Sequence, residues 1–316
     1  MPKSLVKLLN RLSFRQLQVF DTVSSLGSYS KAAAHLGLTQ PAVSAQIRQL
    51  ESALGQPLFE YVSRRLYRTP AGDQLANSTR QIFSELKRLQ MEISDQEGHL
   101  RGELNLAAVS TAQYLIPLLL KGFLSQHPKI SVKVRVVNRA QALERLSNNE
   151  DDLVIMGMVP ENRALSFMPF LDNEMVAVVP AGHPLLGLAA PTIQSFLSAG
   201  LILREPGSGT RLALESYCNS HRLPCEGIME LGSNTAVKHA VTEGLGVAVL
   251  PVLGMQAELA LGWLKVLPLP GFPLRRSWCT VYPEGKHPTP VVNAFLSYLK
   301  AHIGDLEKRI ESLRPL

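Results

Sequence analysis

Cysteine is scarce here: Cys218, Cys225 and Cys279 are the only three in 316 residues, and none forms a CxxC pair. No cluster of His and Cys has zinc-ligand spacing, so no metal is expected. Apolar runs fall short of the 18 or more residues that span a membrane. The segment Lys3 to Arg11 lacks a long apolar centre and a small-residue cleavage site, so it does not read as a secretory signal. The expected compartment is the cytoplasm, with no membrane partner. GxxxxGK[ST], GxGxxG and GxSxG are all missing, which argues against a nucleotide loop, a dinucleotide loop and a serine nucleophile. His35, His183, His221 and His239 are scattered, without a Ser-His-Asp order. No catalytic residue and no cofactor is therefore expected, and an enzyme is the least favoured class. Gly and Pro sit near ordinary usage, which excludes a fibre or a disordered chain and leaves two or three compact domains.

Charge is what the first quarter has in excess. Residues 1 to 72 hold nine Lys/Arg against three acids, whereas the rest holds 23 of each. The whole formal balance of +6 therefore lies in one segment. Such a patch offers phosphate contacts and salt-dependent affinity for nucleic acid, although a solvated basic face would look the same.

The patch coincides with Tyr29 to Leu54, YSKAAAHLGLTQPAVSAQIRQLESAL, which reads as two short helices and a tight turn. Ser28 or Ser30 can cap the first helix, Gly37 stops it, Thr39 caps the second, and Pro41 fits that helix's first turn. Val43, Ile47, Leu50 and Leu54 make one apolar face. Gln40, Ser44, Gln46 and Arg48 lie opposite, side-chain types suited to base edges in a major groove. A plain helical hairpin in a core would share the spacing. Phe14, Leu17, Val19 and Phe20 place a further helix against the apolar backs. Residues 58 to 68 then read as two wing strands, with Arg64 and Arg65 near the tip.

The longer run AAxxLxxTQPAVSxQIxxLExxLGxxLF, from Ala32 to Phe59, resembles the DNA-binding domain of LysR-type transcriptional regulators. The match continues through Arg64-Arg65 and Thr69-Pro70-Ala71-Gly72. The resemblance implies a winged helix-turn-helix over 1–70 that reads double-stranded DNA as two-fold half-sites. Its contacts would be Ser30, Lys31, Thr39, Gln40, Pro41, Ser44 and Arg48, with Arg64 and Arg65 on the phosphates. RNA polymerase is a further candidate partner.

Thr69-Pro70 starts a long helix, and 71–98 reads as a linker. Leu75, Ile82 and Leu89 recur every seven residues, as do Thr79, Leu86 and Ile93, forming an a/d seam for self-pairing. A helix lying on its own domain is the alternative. Residues 1–12 have helical character with no assigned role, and Gly98 to Gly102 reads as a hinge.

Beyond residue 103 the texture is short apolar strands alternating with amphipathic helices. Strands are expected at 103–109, 131–137, 152–157, 175–179, 200–204, 226–231, 246–250 and 277–282. Helices are expected at 112–125, 139–149, 192–198, 210–221, 234–243 and 288–303. This alternation predicts an α/β fold with a mostly parallel sheet covered on both faces. Crossings at 173–178 and 275–278 divide it into lobe I, 102–173 plus 277–303, and lobe II, 174–276, followed by a tail over 304–316. That resembles the two-lobed, periplasmic-binding-protein-like effector domain of the same family.

Ligands of open α/β folds bind beyond the carboxyl ends of strands. Four such corners carry polar residues: Ser110 and Thr111; Asn138 and Arg139; Glu205, Ser208, Gly209 and Thr210; and Asn234 and Thr235. Gly157, after the strand at 152–157, is a further candidate. Glycines and a helix start at 207–211 favour an anion, though a plain polar turn has the same composition. The wording VSTAQYLIPLLL, AGHPL, REPGSGTR and ELGSNTAVKHAVTEGLGVAVL resembles the branch controlling carbon-fixation operons and related sulfur or inorganic-carbon genes. That resemblance implies a small anionic effector, with Met158 an apolar departure from the pattern. Two alternatives stay open: redox sensing through Cys218 and Cys225, and a solute-binding protein. The chain is expected to form a dimer or tetramer.

Overall fold

A computed structural model describes residues 10–96 and 100–312. Residues 1–9 of the segment expected to have helical character and part of the Gly98 hinge lie outside the described residues. The chain divides into two units, Met1–Leu89 and Gln90–Leu316.

In the first unit, α1 (Phe14–Leu26), α2 (Tyr29–Leu36) and α3 (Gln40–Leu54) are followed by β1 (Phe59–Val62) and β2 (Arg65–Arg68). Each helix is started by its own hydroxyl. Ser13 closes a reciprocal cap with Gln16, Ser28 accepts from the Lys31 amide, and Thr39 accepts from the Ala42 amide. Ser28, not Ser30, is the cap of α2, because only Ser28 has the extended backbone a cap needs. Gly37 ends α2 at φ +65°, a conformation cheap only for glycine. Val19, Phe20, Val43, Ile47, Leu50 and Leu58 form the core. Phe14 does not join it; at 60% exposed it sits on the outer side of the first turn. β1 and β2 pair antiparallel as the wing, and Ser63 and Arg64 turn between them with φ +50° and +66°. Two left-handed residues are what a tight two-residue hairpin turn demands.

The long helix α4 (Pro70–Gln96) is capped by Thr69, whose hydroxyl accepts from the Gly72 amide at 3.1 Å. Its seven-residue seam divides. Leu75 packs into the tri-helical core and Thr79 is fully buried, whereas Ile82, Leu86, Leu89 and Ile93 stand 38–56% exposed.

The second unit runs β3 (Gly102–Val109), α5 (Ile116–Gln126), β4 (Ile130–Val137), α6 (Arg139–Ser147), β5 (Leu153–Met156) and β6 (Leu165–Pro180). It continues with α7 (Ile193–Leu197), β7 (Ile202–Arg204), α8 (Gly209–Ser220), β8 (Met229–Leu231), α9 (Asn234–Thr242) and β9 (Ala248–Pro251). It closes with α10 (Gln256–Ala260), β10 (Leu264–Val266), β11 (Leu274–Pro283) and α11 (Pro290–Ser312). The main sheet has the order β10-β6-β11-β5-β3-β4, with β9 also on β6.

The expectation of a mostly parallel sheet is corrected. β3 is parallel to β4 and β5, and β7 to β8, but β6 and β11 run antiparallel to each other and to β5, β9 and β10. The cause is connectivity: β6 starts ten residues earlier than expected and crosses the whole unit, and β11 returns beside it. The helix expected at 112–125 is a short 3-10 turn at Ala112–Tyr114 followed by α5, and α11 continues to Ser312. The elements α10 and β10 were not foreseen. One core gathers residues from Met91 to Leu171 with Trp278 to Leu306. Two others lie between Met175 and Leu274, on opposite faces of β6 and β9. The two-lobed α/β architecture rests on these separate cores joined by the crossing strands.

Candidate functional sites: an exposed helix face and a buried cavity

On α3, Val43, Ile47 and Leu50 are held at 0–1% exposure, which forces the opposite face outward. Gln40, Pro41 and Arg48 are exposed there and Ser44 is half-buried. Gln40 Nε2 donates to Ser44 Oγ at 3.1 Å, so amide and hydroxyl are presented together. Thr39 is exposed but its hydroxyl is engaged in the cap, 3.4 Å from the Ala42 amide. Ser30 and Lys31 lie exposed on α2, and Arg64 and Arg65 are exposed on the wing. Arg68, by contrast, is tied to Asp73 and Ser24 at 2.6 Å each, a structural role. Sequence reasoning missed Arg11, Gln49 and Ser52, which share a broad groove of about 520 Å³ with Arg48. Gln49 and Ser52 lie on α3 itself, at variable positions of the motif, and Arg11 precedes it.

In the second unit a cavity opens where several strands end. Six residues chosen from sequence line it: Ser110, Thr111, Arg139, Gly157, Gly209 and Thr210. Val109, Met158, Asn173, Met175 and Arg276 complete it. Glu205 and Asn138 do not line it; Asn138 caps α6 and donates to Glu205 Oε1 at 3.3 Å. Ser208 is buried at the start of α8, Asn234 is buried, and Thr235 is exposed outside the cavity.

The cavity is braced from behind. Arg204, 3% exposed, donates to both oxygens of Glu205 at 2.8 and 2.9 Å, to Ser110 Oγ at 3.2 Å, and to Asn234 Oδ1. One guanidinium thus ties the turn after β3 to the ends of β7 and β8. Trp278 Nε1 donates to Thr111 Oγ1 at 3.2 Å. The turn at Gly207, φ +86°, brings its carbonyl to the Ala140 amide at 3.1 Å, and a Cβ there would press on Ala140. That contact holds the N-termini of α6 and α8 together.

Facing the space are groups suited to an anion. Ser208 makes no side-chain cap, so the first amides of α8 keep their donors and the helix dipole favours negative charge. Thr210 is 3% exposed, yet its Oγ1 has no partner. Arg139 reaches the Met158 carbonyl at 2.8 Å; burial, then the nearby Arg163, pushes its guanidinium below its ordinary value. Arg276 contributes a second cation, anchored to the Arg275 carbonyl at 2.8 Å. Met158 sits at φ +52°, a costly conformation for a side chain, and turns an apolar wall toward the cations.

The cysteines read differently. Cys218 and Cys225 are close enough to hydrogen bond, but burial, with Cys225 beside it, pushes the Cys218 thiol up to about 12. Burial also raises Cys225. Thiols held protonated are poor nucleophiles, so nothing here favours oxidant sensing. Among the described residues no group of three His, Cys, Asp or Glu could hold a metal, and no helix is long and apolar enough to cross a membrane.

Residues 14–73 match the family model of the bacterial regulatory helix-turn-helix protein, lysR family, and residues 97–304 match the LysR substrate binding domain. The chain is 40% identical to the HTH-type transcriptional activator CmpR of Synechocystis sp., over 93% of this chain and 97% of the relative. It is 41% identical to the RuBisCO operon transcriptional regulator of Acidithiobacillus ferrooxidans, over 95% and 97%. Among solved structures, the Synechocystis CcmR regulatory domain in complex with 2-PG is 38% identical with a TM-score of 0.62, covering 66% of this chain and all of that one.

Proposed function

The chain belongs to the LysR family of bacterial helix-turn-helix regulators, and from that premise we propose that it binds promoter DNA under the control of a small anion. The observation that carries this is the pairing of two surfaces in one chain: an exposed polar face on α3, and a buried cavity with two guanidiniums and an unsatisfied hydroxyl. Gln40, Pro41, Ser44 and Arg48 read bases in the major groove, with Ser30, Lys31 and Thr39 beside them. Arg64 and Arg65 hold phosphates, which position without specifying. Two chains pair through Ile82, Leu86, Leu89 and Ile93, so the half-sites are two-fold related.

The anion sits in the cavity lined by Ser110, Thr111, Arg139, Gly157, Gly209 and Thr210. Asn138, Glu205, Ser208, Asn234 and Thr235 support those corners. Lobe I comprises 102–173 plus 277–303 and lobe II 174–276, hinged on β6 and β11. An effector shifts promoter binding only through its different affinity for the two lobe arrangements. The cavity's cations fit a phosphorylated metabolite, a sulfur oxyanion or a short carboxylate. Since a 38% identical regulatory domain was solved with 2-PG, that compound is the first to try. The protein acts in the cytoplasm, without catalysis, on genes of carbon assimilation, with RNA polymerase as downstream partner.

Thermal unfolding with 2-PG, sulfate, sulfite and short carboxylates tests the effector. At 100 times its Kd a ligand stabilises by about 2.7 kcal/mol, and Arg139→Gln should abolish that gain. If no anion raises the unfolding temperature, the cavity is not an anion site, while the DNA reading is judged separately by a gel-shift competition.

A further inference from the structure

The groove that Arg48 shares with Arg11 is lined by these two guanidiniums, by the amides of Gln16 and Gln49, and by no Asp or Glu. Ala45 and Ala53 are also in its lining, side chains short enough to let a bulky backbone approach. No acid stands in the first turn of α1, so the dipole of that helix adds to the positive potential around Arg11 and Gln16.

The two amides have a fixed sense. The Ser13 backbone N–H donates to Gln16 Oε1 at 2.9 Å, and Gln16 Nε2 donates in turn to Gln49 Oε1 at 3.3 Å. A backbone N–H can only donate, so this relay runs one way. Gln49 uses its oxygen on Gln16 and keeps its –NH2, a pure donor, for the exposed side. Gln16, only 7% exposed, has both amide atoms engaged within the protein.

A phosphodiester is anionic and only accepts, whereas base edges mix donors with acceptors. Base edges are met by the N-terminal residues of a recognition helix, and Gln49 lies in the C-terminal half of α3. We propose that the groove seats the DNA backbone beside the bases that α3 reads. Arg11 and Gln49 are its phosphate contacts, and Gln16 positions Gln49. This rests on the DNA reading above and extends it through Arg48, which borders both surfaces. Arg11 precedes residues 14–73, the stretch that matches the helix-turn-helix family model, so its contact is an addition to the shared motif.

The probe is a short duplex that the full-length protein selects from a random pool. It is titrated beside a scrambled duplex over a range of sodium chloride concentrations. Arg11→Gln should weaken both duplexes alike and lower the salt slope by about 1. Gln49→Leu should weaken both alike, about threefold or more, at unchanged slope, because a neutral amide releases no counterion. Both residues are exposed, so the unfolding temperatures of these variants should match that of the parent. Gln16→Met should weaken binding by itself and add nothing to Gln49→Leu in the double variant, whereas a purely structural role would add its cost again. Unchanged binding in either Arg11→Gln or Gln49→Leu overturns the proposal. So does a loss confined to the selected duplex, which would make the altered residue a base reader. A parent protein that selects no duplex at all overturns the DNA reading itself, and this one with it.

Discussion

On α3, Gln40, Pro41 and Arg48 stand in solvent, backed by an apolar face that is fully buried. In the cavity of the second unit, Thr111 and Thr210 are 3–7% exposed, and the Arg204 guanidinium behind them has donors on three partners. The first surface is hydrated before it binds, so its side chains add little to folding and much to recognition. The second is desolvated at folding, so most of its polar groups must be satisfied by the protein itself. Binding there is left to the few groups that stay uncommitted. The same residue types therefore have different consequences when altered.

The largest expected effect breaks the comparison on the cavity side. Arg204→Met removes a buried charge and leaves Glu205, Asn234 and Ser110 with unmet bonds. Loss of one partner from such a network costs about 3 kcal/mol or more, read as a fall of roughly 6–12 °C in unfolding temperature. An unchanged transition would mean that the bracing contributes nothing. On the exposed side, Arg48→Ala should leave that transition within about 0.5 kcal/mol. Its cost appears in competition between the specific site and scrambled DNA, about 1–3 kcal/mol if the guanidinium reads a base. Equal loss on both DNAs would move Arg48 from base to phosphate.

A third substitution sharpens the contrast within the DNA-binding unit. Arg64 holds φ +66° in the wing turn, where glycine fits without strain. Arg64→Gly should therefore keep or slightly raise stability, while weakening binding uniformly across sequences and lowering the salt slope by about 1. Altered sequence preference at constant slope would contradict a phosphate role.

Legibility in the sequence followed locality. Candidate caps at Ser28 or Ser30 and at Thr39, the stop at Gly37 and the period of Val43, Ile47 and Leu50 are all short-range signals, and they located α2 and α3, with the choice of Ser28 made by the structure. Strand positions in the second unit were legible for the same reason, but their direction was not. Whether β6 lies parallel or antiparallel to β11 depends on a pairing about a hundred residues apart in sequence. The first half of β6 was missed because Pro169 and the exposed Phe167 interrupt its apolar pattern. In the cavity, residues just after strands or opening helices, such as Ser110, Arg139 and Thr210, carried a turn signature. Asn173, Met175 and Arg276 lie within strands and carried none. The a/d seam of α4 was read as one stripe, yet Thr79 is sealed into the structure while Leu86 is not, a division set by tertiary packing.

The smallest expected effect tests the comparison at its most exacting point. Thr210 is buried, yet its hydroxyl has no partner, so in the free protein the group costs desolvation and returns nothing. Thr210→Val keeps the shape and removes the cost. The free protein should be as stable as before or more stable, by about 1 kcal/mol. With an anion present the order should invert, because the hydroxyl then gains its bond and the valine does not. Unfolding temperatures with and without 2-PG give the four values needed. A variant less stable in both conditions would show that Thr210 is committed to the fold, like Arg204, and that the anion is held by Arg139 and Arg276 alone.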